Sequence, residues 1–489
     1  MIVIDGWHLT VDDVHKVSRE FDQVCLSDEA YKVMLKTRKA IQQLLDEGRP
    51  VYGVNTGFGA LANVKISKDK LRELQKNIVL SHSAGIGDYL DEDIVRAMLL
   101  IRANALAKGY SGVRPTVVEK LLELLNKRIT PLVPEKGSVG ASGDLAPLSH
   151  IAMSIIGCGK VIVNGKIVDI TQTDYEPIEL EEKEGLSLIN GTQFMAAYLS
   201  LIVRDLERLM KIATLVAALS VDVLLGSPSA FDERIQLARA HPGQITIAQW
   251  LREYLEGSKL RESHRNCAKV QDAYTLRTIP QVYGAVYDTI QWVKEVVLRE
   301  INAATDNPLV FDDEVISGGN FHGEPLALCA DYLAIALTSM GNMIERRIDR
   351  LVNPKINEGL PPFLAGGEEG LNSGYMIWQY TAAALCNENK ILSHPASADS
   401  IPTSAYQEDH VSMGANAVRK LKAIYNNLVS LISIEAMLGC VALDSRRPMK
   451  SSVYIEEFCD KIKIKLEKDH YFGENFEFVK NLILREVYS

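Results

Sequence analysis

The sequence predicts a mainly α protein, an elongated bundle of long helices joined to a smaller, loop-rich N-terminal unit. Three observations carry that reading. Apolar residues recur at spacings of three and four over four long stretches, 199–225, 281–301, 326–352 and 415–442. Strand signals are few. Glycines cluster at 53–59, 137–143 and 318–319, and each cluster interrupts a helical pattern. The 489 residues are 47% apolar and 24% charged, a globular balance in a chain too long for one simple core. A net charge of −10 argues against a broad nucleic-acid surface or a polybasic membrane anchor.

Residues 1–195 read as the N-terminal unit. Met1-Ile2-Val3-Ile4-Asp5 has no basic region and a very short apolar run, so no signal peptide is expected. The glycine loops around Tyr52 and Ser142 belong to this unit. Residues 161–163 and 166–168, joined by Asn164-Gly165, read as a small hairpin, because Asn-Gly suits a type I′ turn.

Residues 196–489 read as the bundle. In 199–225, Leu201, Ile202, Leu206, Leu209 and Met210 mark one face before the segment turns almost wholly apolar, as in a helix buried on all sides. Helices of about 25 residues are rods of roughly 40 Å, and such rods usually pack into bundles, often shared between subunits. Lys211 and Asp222 cut the apolar run between them, and no stretch is expected to reach the roughly 18 apolar residues of a membrane span. The mixed-charge stretch around Phe472, Phe476 and Phe478 reads as peripheral helices. Seven scattered cysteines without a C-x-x-C pair predict no disulfide framework or zinc ribbon, and a reducing, cytoplasmic setting.

Familiar catalytic motifs are missing: no H-E-x-x-H, no Walker A, no G-x-G-x-x-G after a strand, and no close histidine spacing for a metal. The unusual segment is Gly137-Ser138-Val139-Gly140-Ala141-Ser142-Gly143-Asp144-Leu145. Its plain reading is a turn before a helix that Asp144 would cap. Its chemical reading is backbone cyclisation. An amide nitrogen can reach the carbonyl two residues back only where the chain bends hard, and three small residues allow that. Loss of water from the ring and from the serine would leave a methylidene on an imidazolone, a strong electrophile.

The chain resembles the aromatic amino-acid ammonia-lyases and aminomutases, which carry a methylidene-imidazolone formed from Ala-Ser-Gly. The resemblance covers nearly the whole chain through ordered blocks. These are Tyr52-Gly53-Val54-Asn55-Thr56-Gly57-Phe58-Gly59, Ser81-His82, Gly140-Ala141-Ser142-Gly143-Asp144-Leu145 and Asn190-Gly191-Thr192. They continue with Gln271-Asp272-Ala273-Tyr274-Thr275-Leu276-Arg277, Thr305-Asp306-Asn307-Pro308, Gly319-Asn320-Phe321-His322 and Gln407-Glu408-Asp409-His410-Val411-Ser412-Met413. Within the family the match leans to the members that deaminate histidine, on three features. These are Ala240-His241-Pro242-Gly243-Gln244 with Arg261-Glu262-Ser263-His264-Arg265, the stretch 393–403, and Glu408, where the phenylalanine and tyrosine enzymes usually place an amide. Tyr406, where asparagine is expected, and the bulky Trp378 and Tyr380 depart from that pattern.

The resemblance implies loss of ammonia from L-histidine to give trans-urocanate, with a tyrosine or phenylalanine ammonia-lyase or an aromatic 2,3-aminomutase as the alternative. It implies a homotetramer with shared active sites, a small amino-acid substrate, and neither a metal nor an external cofactor. The β-proton is scarcely acidic and ammonia a poor leaving group, so a side-chain base alone is insufficient. Ala141, Ser142 and Gly143 are assigned the electrophile, which bonds the amine. Tyr52 is the candidate base; a nearby cation could lower its pKa from about 10. Arg277 suits the substrate carboxylate through its planar fork. Asn190, Gln271 and Tyr274 are expected to orient the substrate and the ring carbonyl, and Phe321 to pack against either. His82 and Glu408 are expected to meet the imidazole, because a buried carboxylate gains nothing from a phenyl ring. Fumarase-type helical lyases use a signature serine loop with Met, Lys and Asn that this sequence lacks. A scaffold without chemistry fits poorly with an intact Tyr52 and Ala141-Ser142-Gly143.

Overall fold

The computed structural model describes residues 1–47, 51, 53–57, 64, 66–264, 270–312, 314–368 and 370–488. Helices dominate, as the periodicity predicts. In chain order they are α1 (Val11–Arg19), α2 (Asp28–Asp46), α3 (Leu71–His82), α4 (Glu92–Ala107), α5 (Pro115–Asn126), α6 (Leu145–Ile155), α7 (Glu184–Ile189), α8 (Gln193–Val223) and α9 (Glu233–Arg239). Then come α10 (Pro242–Leu255), α11 (Lys259–Ser263), α12 (Tyr274–Arg277), α13 (Ile279–Glu300), α14 (Glu324–Val352), α15 (Met376–Leu392), α16 (Gly414–Ser445), α17 (Val453–Ile462) and α18 (Gly473–Tyr488). The four long periodic stretches of the sequence are α8, α13, α14 and α16.

The chain forms two compact units. The first comprises Met1–Arg204, Lys294–Asp331 and Pro395–Arg419. Its core is α4, where every residue from Ile94 to Ala107 is buried. Such a helix must satisfy its polar members internally. Arg96 donates to the carbonyls of Val17 (2.8 Å) and Leu125 (3.3 Å), and Asn104 to that of Ile301 (2.8 Å). Short strands trim this unit. The expected hairpin pairs Lys160–Val163 with Lys166–Asp169, and Thr130–Pro131 adds a third strand. Asn164 (φ 50°) and Gly165 (φ 73°) both take the left-handed conformation that a type I′ turn requires.

The second unit comprises Asp205–Val293, Tyr332–His394 and Lys420–Ser489. One buried cluster ties together its four long helices. Arg347 of α14 pairs with Glu435 of α16 at 2.6 and 2.9 Å. Ser220 of α8 donates to the same carboxylate at 2.6 Å, and Tyr283 of α13 meets the guanidinium. Arg347 and Glu435 are at most 1% exposed. The expected peripheral helices are α17 and α18.

Two sequence expectations are corrected here. Cys440 and Cys459, from α16 and α17, are joined by a disulfide with Cα atoms 5.5 Å apart. Packing brings together cysteines that no spacing rule pairs. Helices α14 and α16 are also long and apolar enough, by length and composition, to cross a membrane. Their most apolar windows are 67% and 83% buried within the protein, as core helices of a bundle are.

Candidate active site

Three segments of the first unit converge on Ser142. The first is the small-residue turn. Gly143 has φ +71°, and a Cβ there would lie 2.1 Å from the Gly191 carbonyl oxygen, so no side chain fits. The second is Asn190-Gly191, immediately after α7. Gly191 pairs with Gly143 in a parallel bridge, and its carbonyl accepts the Asp144 N–H at 2.6 Å. Asn190 Nδ2 donates to the Ser142 carbonyl at 3.0 Å. The third is the stretch 403–413. The Ser142 hydroxyl donates to Glu408 Oε1 at 2.7 Å, and the Thr403 hydroxyl to Oε2 at 2.6 Å. Met413 N–H reaches the Val139 carbonyl at 2.9 Å, the Ser412 hydroxyl reaches that of Gly140 at 3.2 Å, and Ala141 packs on Val411 and Met413.

Asp144 precedes α6 as expected, yet its carboxylate makes no cap bond to that helix. It accepts instead from Ser138 Oγ (2.8 Å) and the Met195 N–H (3.1 Å). Burial pushes this carboxyl up to about 7; these two bonds and one from the Phe194 N–H pull it back, and nearby Glu300 adds to the rise. Burial raises Glu300 too, and its carboxyl accepts the Thr192 hydroxyl at 2.5 Å.

His82, the last residue of α3, is half-buried. Burial lowers its pKa, opposed by a bond to the Ile78 backbone and by the field of Glu408. A neutral imidazole results at neutral pH. Phe321 is half-buried just before α14. Next to it, His322 Nδ1 accepts the Glu324 N–H at 3.3 Å, so Nε2 carries the hydrogen and donates to the His410 carbonyl at 3.3 Å. The two imidazoles stack at 5.6 Å. This latch joins the Phe321 segment to the Glu408 segment. No role for this latch, nor for Ser138, Thr403 or Ser412, is legible in the sequence: the latch and the Ser412 bond join residues 88 and 272 positions apart, while Ser138 and Thr403 bond residues six and five positions away.

Tyr52 lies outside the described residues. Gln271, Tyr274 and Arg277 belong to the second unit. Gln271 is exposed, and Tyr274 is 71% exposed. Arg277 donates from Nε to the Asp272 carbonyl (3.1 Å) and lies 4.6 Å from the Tyr274 ring centre. Of the departures noted above, Trp378 packs on Phe476 at 5.2 Å, and Tyr380 and Tyr406 are 61% and 81% exposed. Ser404, Ala405 and Tyr406 all have positive φ, a strained run that ends two residues before Glu408. Among the described residues no three His, Cys, Asp or Glu side chains gather as a metal site.

The Ala141-Ser142-Gly143 turn fits a methylidene-imidazolone. Position 143 tolerates only glycine, Ala141 is buried, the carbonyl of 142 already has an amide donor, and the serine hydroxyl faces an acid.

A family model for aromatic amino acid lyases matches residues 9–464. The chain is 52% identical over 462 residues to a probable histidine ammonia-lyase of Thermoplasma volcanium, covering 93% of each chain. Among solved structures, histidine ammonia-lyase from Trypanosoma cruzi is 39% identical with a TM-score of 0.91, covering 100% of this chain and 94% of that one. Tyrosine aminomutase from Streptomyces globisporus is 38% identical with a TM-score of 0.93, covering 100% and 97%.

Proposed function

The chain belongs to the aromatic amino acid lyase family and is a carbon–nitrogen lyase; from that premise we propose that it converts L-histidine to trans-urocanate and ammonia. The observation that carries the choice of substrate is Glu408, whose carboxylate stands 2.7 Å from the Ser142 hydroxyl. Likeness to proteins named histidine ammonia-lyase supports the same choice.

Ala141, Ser142 and Gly143 would hold the methylidene-imidazolone, an electrophile that bonds the substrate amine and makes it a better leaving group. Dehydration of Ser142 removes the hydroxyl that donates to Glu408, leaving Oε1 free to take an imidazole N–H. Neutral His82, whose Nδ1 is engaged with Ser81 Oγ at 3.0 Å, meets the opposite side of the same ring through Nε2. Tyr52 takes the β-proton, the Cβ–H electron pair becomes the Cα=Cβ bond, and the Cα–N bond breaks. Asn190 keeps its amide N–H on the carbonyl of 142, which polarises it. Arg277 clamps the carboxylate, Gln271 and Tyr274 orient the substrate, and Phe321 packs beside it. The exposure of Gln271 and Tyr274 in a single subunit agrees with their serving a homotetramer with shared sites.

The test is kcat/KM for histidine, phenylalanine and tyrosine in wild type and Glu408→Gln. Charge-assisted hydrogen bonds contribute roughly 1.5–3 kcal/mol, so the variant should lose at least about tenfold on histidine. A wild type that prefers tyrosine or phenylalanine, or a variant unimpaired on histidine, contradicts the proposal.

A further inference from the structure

Next to Asn190-Gly191 the first unit buries two cations and an anion. Lys183, Arg102 and Asp306 are at most 2% exposed. Lys183 Nζ donates to Asp306 Oδ2 and to Ser187 Oγ, both at 2.8 Å, and Ser187 Oγ donates to the same Asp306 oxygen at 2.8 Å. Arg102 donates to the Ser187 carbonyl, to Gln193 Oε1 (3.2 Å) and to the Thr305 carbonyl (3.3 Å). Gln193 Nε2 closes the net on Thr305 Oγ1 at 2.7 Å. Burial alone would raise the Asp306 carboxyl, but Lys183 and Arg102 hold it below its ordinary range.

Three features set this net apart from ordinary core bonding. Lys183 has φ +68°, a left-handed conformation disfavoured for any residue with a Cβ. The net grips the chain on both sides of one short stretch, at Ser187 and at Gln193. It also lies flush against that stretch. A Cβ at Gly191 would be 2.4 Å from Arg102 Nη1, 2.3 Å from Gln193 Oε1 and 2.6 Å from the Thr305 oxygen. The same stretch carries the Asn190 bond to the Ser142 carbonyl and the Gly191 bond to Asp144.

We propose that Lys183, Asp306, Ser187 and Arg102 are positioning residues that press Asn190-Gly191 onto the reactive turn, setting both its cyclisation and the polarisation of its carbonyl. The inference rests on the methylidene-imidazolone reading above. None of the four touches the turn itself, so their effect passes through Asn190 and Gly191. Slackening the net should weaken polarisation of the ring carbonyl, lower turnover and leave histidine binding nearly unchanged, because the proposed imidazole and carboxylate contacts lie elsewhere.

Lys183→Gly separates charge from backbone, since glycine accepts the left-handed φ while the ammonium is lost. Ser187→Ala removes only the bridging hydroxyl. Intact mass would report the share of chains that have lost two waters; kcat per modified chain, and KM for histidine, would follow. In Lys183→Gly we expect kcat to fall about tenfold or more, KM to stay within about threefold, and the modified share to drop, with Ser187→Ala smaller in the same direction. A folded Lys183→Gly with wild-type kcat and modified share overturns the inference. Should that variant not fold, wild-type values in Ser187→Ala overturn it equally. A wild type without the mass deficit removes the methylidene-imidazolone reading and this inference with it, whereas a modified wild type with unchanged variants removes the inference alone.

Discussion

Asp144 sets a pH dependence of stability beside the reactive turn. Its folded pKa is raised to about 7, against an ordinary 3.8. Below about pH 4 both folded and unfolded chains hold the proton. Between there and about pH 7 the unfolded chain releases it and the folded chain keeps it, so this group's contribution falls as pH rises and is fully lost above about 7. Asp144→Asn cannot ionise. Its Tm relative to wild type should therefore rise between pH 5 and pH 8, and a constant difference would contradict the shift. At this scale the sequence showed the turn itself, because three small residues in a row are a local signal. It could not show that the Asp144 carboxylate leaves its own helix for Ser138 and Met195, or that His322 latches to His410. The bonds to Met195 and between His322 and His410 join residues 51 and 88 positions apart, and no spacing encodes them.

The long helices were legible because a stripe of apolar residues repeats every three or four positions; the predicted 281–301 and 326–352 became α13 (Ile279–Glu300) and α14 (Glu324–Val352). Their fastening was not legible. Arg347 and Glu435 lie 88 positions apart, and each alone reads as a solvated helix charge. Breaking a buried pair from one side strands a charge and costs about 3–5 kcal/mol. Glu435→Gln should lower unfolding free energy by about 3 kcal/mol or more in urea titration, with little change in m. Loss of under about 1 kcal/mol would mean that the cluster does not hold the four helices together. Helix α4 escaped notice for the opposite reason. It is buried on all sides, so Arg96, Arg102 and Asn104 break up a stripe that has no polar side.

At the scale of the whole molecule, Ser142 and Glu408 lie in one unit and Tyr274 and Arg277 in the other. The proposed homotetramer with shared sites predicts complementation. Ser142→Ala and Arg277→Met are each nearly inactive alone in this account, but mixed tetramers should regain measurable histidine deamination, because some sites draw both residues from intact copies. Light scattering should give four chains, and a stable, active monomer would contradict the assembly. The central claim, that the chain makes its own electrophile from Ala141-Ser142-Gly143, is tested most directly by the intact mass of active wild-type protein. Two dehydrations predict about 36 Da less than the sequence mass, located to the peptide that contains Ser142 and abolished in Ser142→Ala. Full sequence mass in protein that turns over histidine would contradict it.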